Sequence, residues 1–257
     1  MDGPGAQTEE GANGVEFQRV SFRYPGAGAP SLADVSFAAP RGSTIGVIGG
    51  TGSGKSTLVN LIPRLYDATE GSVKVFGADV KQYRLRELRG RIGVAPQRAA
   101  LCRGTIRENL QWGKPGATDE EITRALTVAQ AADFVFASPE GLDRHIEQGG
   151  RNLSGGQRQR LTIARALVGE PDILILDDSA SALDYATDAR LRRAIRENTR
   201  DMTVFIVSQR VSSIRQADAI LVLDDAHLAG VGTHEALMRD CAVYREIALS
   251  QEKEAKA

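Results

Sequence analysis

Hydrophobic patterning begins abruptly along this chain. Residues 1–14 are polar, rich in Gly and acidic side chains, and lack periodicity, which suits a flexible lead or linker outside the fold. From there Val15, Phe17, Val20 and Phe22 are apolar among polar neighbours, a Pro-Gly turn follows at Pro25 and Gly26, and a second run covers residues 32–37. This is the pattern of antiparallel strands. Residues 45–48, 173–176, 204–207 and 220–223 differ, being short, rich in β-branched side chains and almost continuously apolar, as strands buried on both faces are. One more strand is expected at 92–95. Residues 56–65, 157–168 and 186–198 between these runs are helical in pattern, and strand–helix alternation of this kind predicts an α/β fold with a parallel sheet. After about residue 98 strand signals fade and helical patterns such as 119–129 dominate, which predicts a helical subdomain, residues 98–156, inserted in a core spanning 15–257. No internal repeat is visible.

Composition narrows the picture by exclusion. Of the 257 residues 42% are hydrophobic and 25% charged, with a formal net charge of -1, so no bulk positive charge recruits nucleic acid. No stretch approaches the roughly 18 apolar residues of a membrane helix, and the first residues are not signal-like. Cys102 and Cys241 stand far apart with no Cys or His at metal-ligand spacing nearby. They read as free thiols in a reducing compartment rather than as a disulfide.

Candidate chemistry starts where the strand at 45–48 runs into Gly49, Gly50, Thr51, Gly52, Ser53, Gly54, Lys55, Ser56 and Thr57, followed by a helix. This matches the P-loop pattern in the strand-to-helix context that supports it over a structural Gly-rich turn. Glycines let successive N–H groups turn onto phosphate oxygens, Lys55 neutralises the β- and γ-phosphates, and Ser56 offers a hydroxyl to Mg²⁺. The strand at 173–176 ends in Asp177, where a carboxylate can reach the Mg²⁺ shell.

P-loop folds serve many functions, and the residues that separate them lie further on. Leu153, Ser154, Gly155, Gly156 and Gln157 spell LSGGQ before a helix, about twenty residues ahead of Asp177. Taken alone this is either a Ser N-cap before a Gly-rich bend or a second anion site at a helix start. With the P-loop it resembles the signature motif of the ATP-binding cassette family, and the resemblance runs from about Val15 to Ile247. It implies a RecA-like P-loop core with an N-terminal antiparallel β subdomain and an inserted helical subdomain. It also implies MgATP, and two cassettes that sandwich two ATP molecules, the signature of each closing on the γ-phosphate held by the other's P-loop. Further positions follow the family. Tyr24 resembles the aromatic that stacks on adenine, although a strand-end Tyr can be plain packing. Gln97 resembles the glutamine that contacts Mg²⁺ and the attacking water. Asp184 resembles the dimer-interface loop, or by itself a helix N-cap. The segments 105–110, TIRENL, and 146–157, with Glu147 before LSGGQ, look like exporter cassettes. That implies a transmembrane domain, fused in the usual exporter plan, and a place on the cytoplasmic face of the membrane.

Two positions depart from the family. The Glu that normally follows the strand-ending Asp is Asp178 here, whose oxygens are withdrawn by roughly 1.5 Å. The His that normally follows the strand at 204–207 is Gln209, which carries no titratable proton; the three histidines, His145, His227 and His234, fall elsewhere. With Lys55, Ser56, Asp177 and Gln97 retained, the expectation is ATP binding with weakened hydrolysis. Such pairs of changes resemble the degenerate half of heterodimeric exporters, with a different chain as second cassette. An importer-type cassette, a slow homodimeric ATPase and a non-transport ATPase of chromosome maintenance or translation remain as alternatives.

Overall fold

The computed structural model describes residues 2–9, 11–179, 181–199 and 201–254. They form two compact units, Met1–Arg89 with Thr203–Ala257, and Gly90–Met202.

The first unit opens with β1 (Val15–Phe22), β2 (Leu32–Ala39), β3 (Thr44–Gly49), α1 (Lys55–Leu61), β4 (Glu70–Val75), β5 (Ala78–Asp79) and α2 (Leu85–Gly90). Four of these strands make an antiparallel sheet in the order β2-β1-β4-β5. The apolar positions of β1 change parity, from 15 and 17 to 20 and 22, yet all four side chains are buried. A bulge reconciles them: Arg19 takes a φ of 47°, and the pairing with β2 shifts between Phe17 and Val20. One extra residue returns the later side chains to the inner face. Phe17 there stacks on Phe37 with ring centroids 4.6 Å apart.

Residues 2–9, expected to be flexible, have no helix or strand but are bonded to this unit. The N–H groups of Gly3, Gly5 and Glu9 donate to the carbonyls of Tyr83, Gln82 and Phe76, each at 3.0 Å. Arg41 adds bonds to the carbonyls of Glu9 and Ala12 and lies over the Phe76 ring. Backbone pairing of this kind leaves no trace in hydrophobic periodicity. Helix α1 also differs from its expectation of 56–65, ending at Leu61 with Ile62 as its cap. Pro63 has no N–H to continue the ladder and its ring crowds the turn before it.

The second unit holds β6 (Ile92–Ala95), β7 (Gly104–Thr105), α3 (Ile106–Gln111), α4 (Asp119–Val128), α5 (Ala132–Phe136), β8 (His145–Ile146), α6 (Gly155–Leu167), β9 (Ile173–Asp177) and α7 (Tyr185–Asn198). Strands β6 and β9 are parallel, with Ile92 opposite Ile173. Helices α3 to α5 fall in the segment 98–156, and the compact unit extends beyond it on both sides. The TIRENL segment has a local reason: Thr105 and Glu108 cap α3 reciprocally, and the buried Asn109 amide holds the backbone of Cys102. A Cβ on Gly93 would stand 2.2 Å from the Ala166 carbonyl oxygen near the end of α6. Gly93→Ala is therefore expected to cost about 1–3 kcal/mol through forced separation of β6 and α6, measured as a lowered denaturant midpoint; an unchanged midpoint would contradict this packing.

The chain then returns to the first unit with β10 (Thr203–Val207), α8 (Val211–Ile214), β11 (Ala219–Asp224), β12 (His227–Gly232), α9 (His234–Asp240) and α10 (Ala242–Glu254). Strand β3 lies between β10 and β11 and is parallel to both, and β12 pairs antiparallel with β11. The apolar side chains of β3 are buried on both faces, which is why its sequence does not alternate. Tyr244 and Ala248 of α10 pack with Ile48, Val211, Ile214, Ile220 and Val222. The Tyr244 hydroxyl bonds His234 Nδ1 at 2.8 Å in this interior. Burial holds His234 below the usual histidine range and pushes Tyr244 up to about 12, so both stay neutral near pH 7. Both cysteines are free, Cys241 buried and Cys102 half-buried.

Candidate functional site

Residues 49–57 link the carboxyl end of β3 to α1. Two of the loop glycines are forced by their neighbours: a Cβ at Gly49 would lie 2.1 Å from the Leu223 carbonyl oxygen, and one at Gly54, with φ of 99°, 2.4 Å from that of Ser31. Gly50 and Gly52 are of the other sort, since a Cβ on either would meet nothing within 4 Å. The loop thus sits tightly against its own unit on one side and leaves bare backbone on the other. Lys55 arches over it, its Nζ donating to the carbonyls of Gly49 at 2.8 Å and Gly50 at 2.7 Å. The Ser56 hydroxyl is on the exposed side of α1 and Thr57 on the buried side. Ser53 Oγ is buried without a hydrogen-bond partner, an orphan of the kind that ligand oxygens or water satisfy.

Tyr24 belongs to the same neighbourhood. Its hydroxyl is 3.2 Å from Thr57 Oγ1, and its ring meets Phe22 and Tyr66 edge-on at centroid distances of 4.8 and 5.2 Å. Tyr24 is therefore packed among aromatic neighbours and tied to the first turn of the loop's helix. Gln209 also lies in this unit, exposed, directly after β10 and the buried Ser208.

The second unit carries the other candidates. Asp177 ends β9, and Asp178 follows with a φ of 45°, a left-handed conformation that Asp adopts more readily than most residues. Gln97, just beyond β6, donates from Nε2 to Asp178 Oδ2 at 3.3 Å, which joins two candidates 81 positions apart. Ser179 Oγ is a second buried, unpartnered hydroxyl beside them; sequence reasoning passed it over, and its only signal was its place next to Asp178. Among the described residues no group of three or more His, Cys, Asp or Glu converges. Asp177 and Asp178 offer adjacent carboxylates after β9, and Mg²⁺ is commonly bound through one or two carboxylates plus substrate phosphates.

At the LSGGQ segment Ser154 caps α6. Its Oγ accepts from the Gln157 N–H, and the Gln157 side chain accepts from the Ser154 N–H. The N-cap reading of Ser154 holds, and Ser154 and Gln157 are both engaged locally. The glycines are not demanded in the same way: the nearest atom to a Cβ would be 3.7 Å away at Gly155 and 3.5 Å at Gly156, which is ordinary contact. Space within this unit therefore does not demand Gly at either place. Asp184 caps α7, accepting from the Thr187 N–H at 2.9 Å, and this bond holds its carboxyl below the usual range. Glu147 is exposed in a loop pinned by Asn152, which bonds the Glu147 N–H and the His145 carbonyl.

No helix among the described residues is long and apolar enough to cross a membrane. Comparison with known proteins agrees with the motifs. The family model described as ABC transporter matches residues 32–181. The uncharacterized ABC transporter ATP-binding protein Rv1273c of Mycobacterium tuberculosis is 46% identical over 97% of this chain and 43% of its own length. YgaD of Bacillus subtilis, provisionally named a multidrug export ATP-binding/permease protein, is 42% identical over 91% of this chain and 40% of its own. A solved structure of a bacterial Atm1-family ABC exporter with ATP bound is 35% identical, with a TM-score of 0.92 over 98% of this chain and 44% of that one. The chain thus spans less than half the length of these relatives. With that loop architecture and these matches, the chain belongs to the ABC transporter family, as its ATP-binding cassette.

Proposed function

We propose that this cassette is the nucleotide-binding domain of an ABC exporter, that it binds MgATP tightly at its own P-loop, and that it hydrolyses ATP slowly there. The observation that carries the proposal is the P-loop: a backbone locked on one side by Gly49 and Gly54, open on the other at Gly50 and Gly52, and spanned by Lys55. In this reading Tyr24 stacks on the adenine, and the loop N–H groups of 49–57 and Lys55 hold the phosphates. Ser56, Asp177 and Gln97 would hold Mg²⁺, whose charge, when bound, would offset that of the phosphates.

Asp178 and Gln209 take the positions of the water-activating Glu and the γ-phosphate-sensing His. A carboxylate one methylene short must hold the water from about 1.5 Å further back, and geometry governs general-base action before pKa does. Gln209 can donate a hydrogen bond but brings no positive charge. Grip is retained and turnover weakened.

Ser154, Gly155 and Gly156 serve a partner cassette. Glycines that their own unit does not require are explained if another chain's nucleotide approaches them. The partner is a different chain that carries Glu and His at the two positions and a degraded signature. Glu147 and its pinned loop face a transmembrane domain at the cytoplasmic side of a membrane, a domain supported by the export and permease names of relatives more than twice as long.

The test is kinetic. The chain should bind MgATP, yet turn over far below the ~10 s⁻¹ typical of enzymes, and it should gain activity when assembled with the partner. Ordinary turnover by the chain alone would defeat the slow-site reading, and failure to bind ATP would defeat the whole.

A further inference from the structure

The loop that carries Gln209 is held by a residue from the far end of the chain. Between β10 and α8 the backbone turns through Ser208, Gln209 and Arg210, and its polar groups have specific partners. Ser208 Oγ accepts from the Arg210 N–H at 3.0 Å. The Gln251 side chain, on α10, takes the next two groups: its Oε1 accepts from the Val211 N–H at 2.9 Å and its Nε2 donates to the Gln209 carbonyl at 2.6 Å. One primary amide thus pairs with a C=O and an N–H two residues apart, as a neighbouring strand would. The bond to Val211 also matters to α8, whose N-cap residue Arg210 makes no side-chain capping bond. Gln251 supplies the missing cap from 40 residues away.

Gln251 is well placed to hold a position and not merely to occupy one. It lies seven residues after Tyr244 and three after Ala248, on the face of α10 that packs into the interior. That face is anchored by the buried bond between Tyr244 and His234. The amide therefore reaches the loop from a fixed base, and each of its hydrogen bonds loses little entropy on forming. Neither Gln209 nor Val211 could shift without breaking one of the two bonds.

We infer that Gln251 is a positioning residue for nucleotide recognition: through it the C-terminal helix fixes the backbone of Gln209 and thereby sets how well the cassette distinguishes ATP from ADP. The inference rests on the proposed role of Gln209 beside the γ-phosphate, the only phosphate that ATP has and ADP lacks. Tyr24 and the P-loop, which serve both nucleotides, make none of these contacts.

The test compares ATP and ADP affinities, without hydrolysis, in the native protein and in Gln251→Met, Gln251→Glu and Gln209→Ala. Methionine keeps the length and loses both bonds. It is expected to lower the ATP-to-ADP affinity ratio about threefold to tenfold, the worth of one or two hydrogen bonds, with ADP affinity unchanged and faster amide hydrogen exchange at Val211. Glutamate keeps the acceptor and loses the donor, so exchange at Val211 should stay slow while the ratio still falls. If both nucleotides weaken together, Gln251 is only structural and the inference is overturned. It is equally overturned if Gln209→Ala lowers the ratio and neither Gln251 variant does. If Gln209→Ala itself leaves the ratio untouched, the role of Gln209 falls first, and this inference falls with it.

Discussion

Asp178→Glu combined with Gln209→His is expected to raise ATP hydrolysis at least about tenfold, at protein concentrations where two cassettes can pair. A well-placed general base contributes about 10²–10⁴-fold, and a displacement near 1 Å can cost on the order of 100-fold. Restoring the methylene moves the carboxylate forward, and restoring the imidazole returns a group that can carry positive charge beside the developing one. Asp178 also accepts a bond from Gln97 at 3.3 Å, so a longer side chain changes the spacing between two residues of the same unit. Each single variant should give a smaller gain than the pair, because the base and the charge act on the same transition state. Phosphate release measured under saturating MgATP decides it. An unchanged rate with ATP binding intact would show that these two residues do not limit the site.

The second large effect is a loss. Lys55→Ala should weaken ATP binding on the order of 100-fold, read as a rise in the dissociation constant by titration calorimetry. Hydrogen bonds to charged groups are worth about 1.5–3 kcal/mol each, and Lys55 offers its ammonium to the phosphates in the proposed site. Its bonds to the Gly49 and Gly50 carbonyls also brace the loop, so thermal stability has to be followed in parallel. Arginine is no conservative control here, since its planar fork does not reproduce a compact ammonium. Retained affinity in a folded Lys55→Ala protein would remove the P-loop from the account.

The division between sequence and tertiary structure runs along the range of the interactions. The strands at 45–48, 173–176, 204–207 and 220–223 were legible because burial on both faces writes an almost continuous apolar run into a few consecutive residues. The P-loop and LSGGQ segments were legible for a related reason: a phosphate cradle and a capped helix start are each built by fewer than ten neighbouring positions. Strand β12 was missed because its side chains are exposed or only partly buried, with Gly230 and Gly232 in its length. Helix α1 stops at Leu61 although the apolar spacing continues to 65, because Pro63 removes an N–H from the ladder.

Sequence by itself thus determined the α/β class, the family, the phosphate loop and the two departures at Asp178 and Gln209. Tertiary structure alone decided which of these residues work on each other. It tied Tyr24 to Thr57, set Gln97 against Asp178 and fastened the Gln209 loop to Gln251, across separations of 33, 81 and 42 residues. A hydrogen bond between distant side chains depends on where the backbone brings them and leaves no periodic mark at either end, whereas a buried strand or a glycine loop is a local solution that consecutive residues must spell out.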